Sequence, residues 1–430
     1  MARGREARSA LAVAGLALVL VVVASGARAA EDGEWCRLGL ATGDSATGLG
    51  PKDFNAGYNG QVAPVKPGER LVFRAHFPRS RYMSLVLYDQ YFMPIDSLPD
   101  FALKPLTGVN PFVAGTERRS AELGEFEVQV LMADPPAGER PANTLYAGTN
   151  SKGRPNRIVA LAYRVYLPDR GLGWRDRHPL AVYGGVDAPL FRLERPDGAS
   201  YCPGRLLTRL LGLKIISSTL KANLGVILHS DRMLKQAQSP PRWINEYSRE
   251  QGREQDVYVG NEDTAYVSVP IASAFGELLV LRWKPARTPQ ETWTGAPFPE
   301  RSAYDMRYWS LTFAYFDRTA IRDGTVLSEK TAADVDVPVL PDGTRQLVIG
   351  FNNIARPDAV APEQWVGLKM TAGLIIMRNI LVTPGYEGDF GLLPKGEIPP
   401  NWDRFTPGGV YCSGEEFERD PDLGLKRKIE

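Results

Sequence analysis

The chain has 430 residues, too many for one ordinary core, which predicts two or three domains at about 150 residues each. Hydrophobic residues make up 43% and charged residues 23%, with 42 Gly and 34 Pro: a folded, turn-rich protein, neither disordered nor collagen-like. A formal net charge of +1 argues against a nucleic-acid binder working by bulk positive charge, and three His with three Cys leave little material for a transition-metal centre.

The first thirty residues read as a secretory signal. Arg3, Arg5 and Arg8 form a basic start, Leu11 to Ala24 is an uncharged apolar run, and Ala27-Arg28-Ala29 supplies small residues at the −3 and −1 positions. Cleavage is expected before Ala30, so that residues 1–29 leave with four Arg and one Glu and the mature chain carries about −2. No later stretch reaches eighteen apolar residues without charge, so no integral span is expected in the mature chain. The expected location is periplasmic or extracellular, where disulfides persist. Of Cys36, Cys202 and Cys412 at most one internal pair can form. A Cys36–Cys202 bridge closing the first half of the chain is one reading, and three buried thiols are the other.

After a lead segment (30–59), short runs rich in β-branched and aromatic residues alternate with Gly, Pro, Asn and Asp turns. Arg70 to Phe77, Tyr82 to Tyr88, Phe126 to Leu131 and Ile158 to Leu167 are followed at a distance by Leu278 to Trp283, Trp309 to Phe316, Leu347 to Phe351 and Leu374 to Val382. Five short matches recur in one order. They are Leu71–Arg74 with Leu279–Arg282, Arg81–Leu85 with Arg307–Leu311, Leu145–Gly148 with Leu347–Gly350, the runs ending at Arg164 and Arg378, and Tyr201–Gly204 with Tyr411–Gly414. The shift in spacing places an insertion at Thr288 to Asp305, carrying Trp293, Phe298, Glu300 and Tyr304. These matches predict two homologous modules, 60–205 and 265–415, with a charged tail at 416–430. The intervening 206–264 holds an amphipathic pattern from Arg205 to Leu234, read as a helical connector that covers the modules or, alternatively, as a membrane-surface helix. The expected fold is therefore mainly β: two tandem antiparallel β-sandwich modules, jelly-roll-like, joined by a short helical connector.

The Arg307-Tyr308-Trp309-Ser310-Leu311-Thr312 segment, an Asp-Gly turn (323–324 or 342–343) and the Arg164-Val165-Tyr166-Leu167-Pro168 strand end resemble a group of poorly characterised bacterial envelope proteins built from paired β-rich domains of unknown function. The second copy departs from this pattern at Arg378-Asn379-Ile380-Leu381, with its proline delayed to Pro384. The resemblance covers about a third of the chain. It implies the fold and an envelope location, and it brings no catalytic residue.

Chemical motifs are sparse. His76, His178 and His229 are far apart and have no ligand-spaced neighbour. Asp334, Asp336 and Asp342 offer carboxylates to calcium without EF-hand spacing. No Gly-x-Ser-x-Gly elbow occurs, and Gly171-Leu172-Gly173 and Gly184-Gly185 read as turns. No metal and no cofactor is expected. Asp89 and Asp317 each end a corresponding strand beside aromatic residues, an arrangement that suits sugar contact or, alternatively, the capping of a turn. The reading is an exported binding or structural protein with a carbohydrate or apolar small-ligand cleft at the module junction, bordered by Asp89, Tyr91, Trp293, Tyr304 and Asp317. The alternative is an envelope hydrolase or isomerase acting on a saccharide through paired carboxylates. The insertion is expected to border the pocket and to contribute little to stability.

Overall fold

Strands here form where β-branched and aromatic residues alternate between two faces, and burial along each strand tells what those faces meet. The computed structural model describes residues 35–37, 40–42, 53–116, 124–168, 187–203, 235–245, 260–289, 297–315 and 327–421. The signal segment, the amphipathic run from 205 to 234, Trp293, Asp317 and the end of the tail lie outside these.

The N-terminal strands are β1 (Cys36–Arg37), β2 (Leu40–Thr42), β3 (Ala56–Pro64), β4 (Arg70–His76), β5 (Ser80–Tyr88), β6 (Pro94–Pro99), β7 (Glu125–Leu131), β8 (Thr144–Tyr146), β9 (Ile158–Pro168), β10 (Leu190–Glu194) and β11 (Ser200–Tyr201). The C-terminal strands are β12 (Ile244–Asn245), β13 (Thr264–Ala272), β14 (Leu278–Trp283), β15 (Met306–Tyr315), β16 (Leu327–Ala333), β17 (Arg345–Gly350), β18 (Trp365–Gly367), β19 (Ala372–Val382), β20 (Gly396–Glu397) and β21 (Gly408–Cys412).

Among the described residues these strands make four sheets. The order β10-β4-β7-β8 in one half has its counterpart β21-β14-β17-β18 in the other, and β3-β9-β5-β6 has its counterpart β13-β19-β15-β16. The fold is mainly β, and pairing is antiparallel except at β7–β8 and β17–β18. Three of the five sequence matches fall on corresponding strands. Two do not. Leu145 lies in β8, whose counterpart is β18, whereas Leu347 lies in β17. Cys412 ends β21, which occupies the place of β10, so it does not correspond to Cys202. The lead segment is not separate either, since β1 and β2 join the first two sheets.

Each half buries its own core. Leu71, Phe73, Met83, Leu85, Phe126 and Val165 belong to the first, and Leu279, Leu281, Trp309, Leu311, Ile349 and Met377 to the second. Cys36 and Cys202 form a disulfide with Cα atoms 6.0 Å apart, closing a loop of 166 residues. Loop entropy assigns such a bridge about 5 kcal/mol. Cys412 is buried and stays outside any disulfide.

The position of the insertion is a correction. Tyr304 and Phe298 are 4% and 2% exposed and belong to the N-terminal half's core, although their segment precedes β15 of the C-terminal half. Phe298 packs on Phe112 and Tyr304 at ring distances of 6.4 Å, and its backbone exchanges hydrogen bonds with Gly115 and Thr116. Residues 297–304 are thus a strap from one half across the other, not the rim of an open cleft.

Candidate functional site

β5 is buried at all nine positions, unlike β7, which alternates between buried and half-buried. A strand covered on both faces lies between two layers. One face of β5, with Met83, Leu85 and Leu87, meets its own core. The other meets the C-terminal half, where Tyr82 and Tyr166 cluster with Tyr308, Ile380 and Leu381. The two halves therefore join through the outer faces of β3-β9-β5 and β13-β19-β15.

Those faces carry polar rows among their apolar side chains. In the first, Tyr58, Arg164 and Ser84 lie side by side across β3, β9 and β5. In the second, Tyr266, Arg378 and Ser310 form the same row across β13, β19 and β15. The arginines are 3% and 4% exposed. Arg164 donates to the Tyr88 hydroxyl, which itself donates to the Gly260 carbonyl at 2.7 Å, and Arg378 donates to Thr312 Oγ1. The guanidinium carbons sit 5.7 Å from the Tyr58 ring and 5.9 Å from the Tyr266 ring, respectively, within cation–π range.

A second row supplies reciprocal contacts. The Tyr308 hydroxyl donates to Asp53 Oδ2 at 2.8 Å, and Ser310 Oγ donates to the same oxygen at 2.6 Å. In the other direction Tyr82 donates to Asp263 Oδ2 at 2.6 Å and accepts from Asn261 Nδ2 at 3.1 Å. The two carboxylates stand in corresponding turns with Asp and Asn exchanged. Asp53 Oδ1 accepts from the Asn55 N–H, and Asn261 Oδ1 from the Asp263 N–H. Each turn is held by the strand opposite: Leu167 N–H donates to Asn55 O and Leu381 N–H to Asp263 O, both at 2.8 Å. Leu167 and Leu381 have φ of 45° and 48°, a left-handed conformation that costs a branched residue roughly 1–3 kcal/mol.

Two ion pairs frame the seam. Arg81 pairs with Asp334, and Arg307 pairs with Asp100 at 3.1 Å, with all four side chains at most 3% exposed. Burial, with Asp263 close by, raises the Tyr82 hydroxyl well above its ordinary range; burial, with Asp53 close by, does the same to Tyr308. Asp263 is pushed up to about 6, first by burial and further by Asp100 and Glu262, against the opposing hydrogen bond from Tyr82.

Among the residues expected to border a pocket, Asp89 serves as a turn anchor. Oδ1 accepts from the N–H groups of Tyr91 (2.7 Å) and Met93 (3.1 Å), and Oδ2 from Ser151 N–H (2.8 Å) and Oγ (2.6 Å). With both oxygens doubly engaged, this carboxylate is saturated as an acceptor. Tyr91 is half-buried beneath Lys152, whose Nζ lies 3.9 Å from the ring centre. Asp334, Asp336 and Asp342 are not gathered for calcium: Asp334 pairs with Arg81, Asp336 accepts from Ala333 N–H, and Asp342 pairs with Arg282. Among the described residues no group of three or more His, Cys, Asp or Glu is placed to hold a metal ion.

The seam residues Asp53, Tyr58, Tyr82, Arg164, Asp263, Tyr266 and Arg378 were not singled out as a site by sequence reasoning. Their signal was an arginine in the middle of an apolar strand, at Arg164 and again at Arg378, and an Asp-x-Asn or Asn-x-Asp turn before β3 and β13.

No protein-family model matches the chain, and no curated protein does. Among solved structures, an uncharacterised protein from Burkholderia cenocepacia is similar at a TM-score of 0.54 and 12% identity, over 94% of this chain and 89% of its own. The VPA0106 protein from Vibrio parahaemolyticus is similar at a TM-score of 0.42 and 11% identity, over 84% of this chain and 90% of its own. The first likeness bears on the fold alone.

Proposed function

We propose that this is an exported binding protein that holds a small hydroxyl-rich ligand, of the saccharide class, at the seam between its two halves. The observation that carries the reading is the chemistry of the seam. Two sheet faces that cover one another would ordinarily be apolar, yet these carry matching Tyr–Arg–Ser rows. Such rows supply donors, acceptors and aromatic faces together, the combination that fixes a sugar ring. Tyr58 and Tyr266 are half-buried, so their rings belong to the margin of the seam. The basic and apolar start with Ala27-Arg28-Ala29 supports export. The matching strand orders and rows support descent of the two halves from one module. The saturated Asp89 removes one of the two carboxylates on which a hydrolase reading depended.

Calorimetric titration of the mature chain with mono- and disaccharides tests the reading. Tyr266→Ala is expected to weaken binding about tenfold, as loss of one stacking platform does, and to lower the melting temperature by only a few degrees. Absence of binding to every saccharide in the wild-type protein would defeat it.

A further inference from the structure

The two ends of the seam are built alike and finished differently. At one end Asp53 is 1% exposed and both its oxygens are engaged, by Asn55 N–H on Oδ1 and by Tyr308 and Ser310 on Oδ2. At the other end Asp263 is half-buried, and among the described residues its one side-chain donor, Tyr82, bonds Oδ2. Beside it, Thr264 is 1% exposed and its Oγ1 makes no hydrogen bond among the described residues. Thr264 lies on the seam face of β13: its neighbour Ala265 points into the C-terminal core, and the residue paired with it, Ile380, belongs to the seam cluster. A buried hydroxyl without a partner is uncommon in a folded protein and calls for an explanation, here as at Ser84 Oγ in the first seam row. Tyr266, two residues on, presents its ring on the same face.

We propose that ligand is held at the Asp263 end only, where the ionised Asp263 carboxylate and the Thr264 hydroxyl take two adjacent hydroxyls of a sugar ring lying against Tyr266. This rests on the saccharide reading of the seam and assigns it a subsite and a proton dependence. A carboxylate accepts from a vicinal diol through its unengaged oxygen, whereas the protonated acid offers a competing donor there. Tyr82 from β5 bonds Asp263, and Asp100 after β6, Arg164 from β9 and Glu262 in its own turn act on its charge. With Asp263 titrating at about 6, the binding-competent fraction changes about tenfold between pH 5 and pH 7.5.

The test is calorimetric titration of the mature protein with methyl glycosides of glucose, galactose and mannose and with their 3-deoxy counterparts, which hold no vicinal diol, at pH 5 and pH 7.5. Expected is binding about tenfold tighter at pH 7.5, with a preference for the glycosides that keep the diol. Asp263→Asn should lose at least tenfold at pH 7.5 and become independent of pH. Thr264→Val, close in shape, should lose several-fold while its melting temperature stays near the wild type. If the wild type binds none of the glycosides, the seam reading and this subsite both fall. If it binds and Asp263→Asn keeps the same affinity and pH profile, only the subsite is wrong. Should Asp263→Asn not fold, unchanged affinity in Thr264→Val overturns the subsite in its place.

Discussion

A guanidinium in the middle of an apolar strand is costly to bury, so its position reports what lies across from it. Arg164 stands in Ala162-Tyr163-Arg164-Val165-Tyr166 and Arg378 in Ile376-Met377-Arg378-Asn379-Ile380, and both point away from their own cores toward the other half. Asp263 is a seam group whose ionisation bears on stability. Its folded pKa is raised to about 6 from an ordinary value of 3.8, chiefly by burial. Folding therefore favours the protonated form. The associated stabilisation is fully present below pH 4 and is lost as pH rises through 6, amounting to as much as about 3 kcal/mol. Denaturant unfolding from pH 4 to 8 should show the wild type losing stability over this window relative to Asp263→Asn. Parallel pH profiles for the two proteins would refute the assignment.

At the scale of elements, β5 and β15 govern the assembly because each is covered on both faces. Period-2 alternation normally separates a wet face from a dry one; here it separates an apolar core from a seam of mixed polarity. The strap at 297–304 is the second controlling element. Phe298, 2% exposed, fills the N-terminal core from a loop of the C-terminal half, and the Arg307 guanidinium lies 4.1 Å from its ring centre. Phe298→Ala should destabilise the protein by about 3–5 kcal/mol, as truncation of a buried aromatic does. Its unfolding midpoint should drop accordingly, and deletion of 289–304 should collapse the melting temperature. A midpoint within experimental error of the wild type would show that the strap merely lies on the surface.

For the whole molecule, the reciprocal pairs Arg81–Asp334 and Arg307–Asp100 determine how the halves dock. Buried ion pairs add little net stability over apolar replacements, but breaking one leaves a charge stranded. Arg81→Met should cost about 3–5 kcal/mol, because among the described residues Asp334 then keeps Thr288 alone as a side-chain donor, at 2.5 Å. Arg81→Met combined with Asp334→Leu should recover most of that loss, a coupling that a double-mutant cycle by chemical denaturation measures. Additive effects of the two substitutions would mean that the pair is not a docking contact.

The mainly β class and the positions of most long strands were legible in the sequence, because the alternation of side chains and the turn residues are local properties of the chain. Corresponding strands could be matched where an arginine stands among apolar residues in both copies, as at Arg74 and Arg282, Arg81 and Arg307, or Arg164 and Arg378. The match failed at Leu145 and at Cys202, where the likeness was only that of one apolar strand, or one strand end, to another. Asp89 looked like a site residue because an acid beside tyrosines is ambiguous until its hydrogen-bond donors are known, and Ser151 lies 62 residues away. Which polar residues meet was decided by the docking of the two halves. Asp53 and Tyr308 are 255 residues apart, and Tyr82 and Asp263 are 181 apart. No periodicity along the chain encodes a contact between the outer faces of two sheets; it exists only once both sheets have folded and their polar rows have been pressed together.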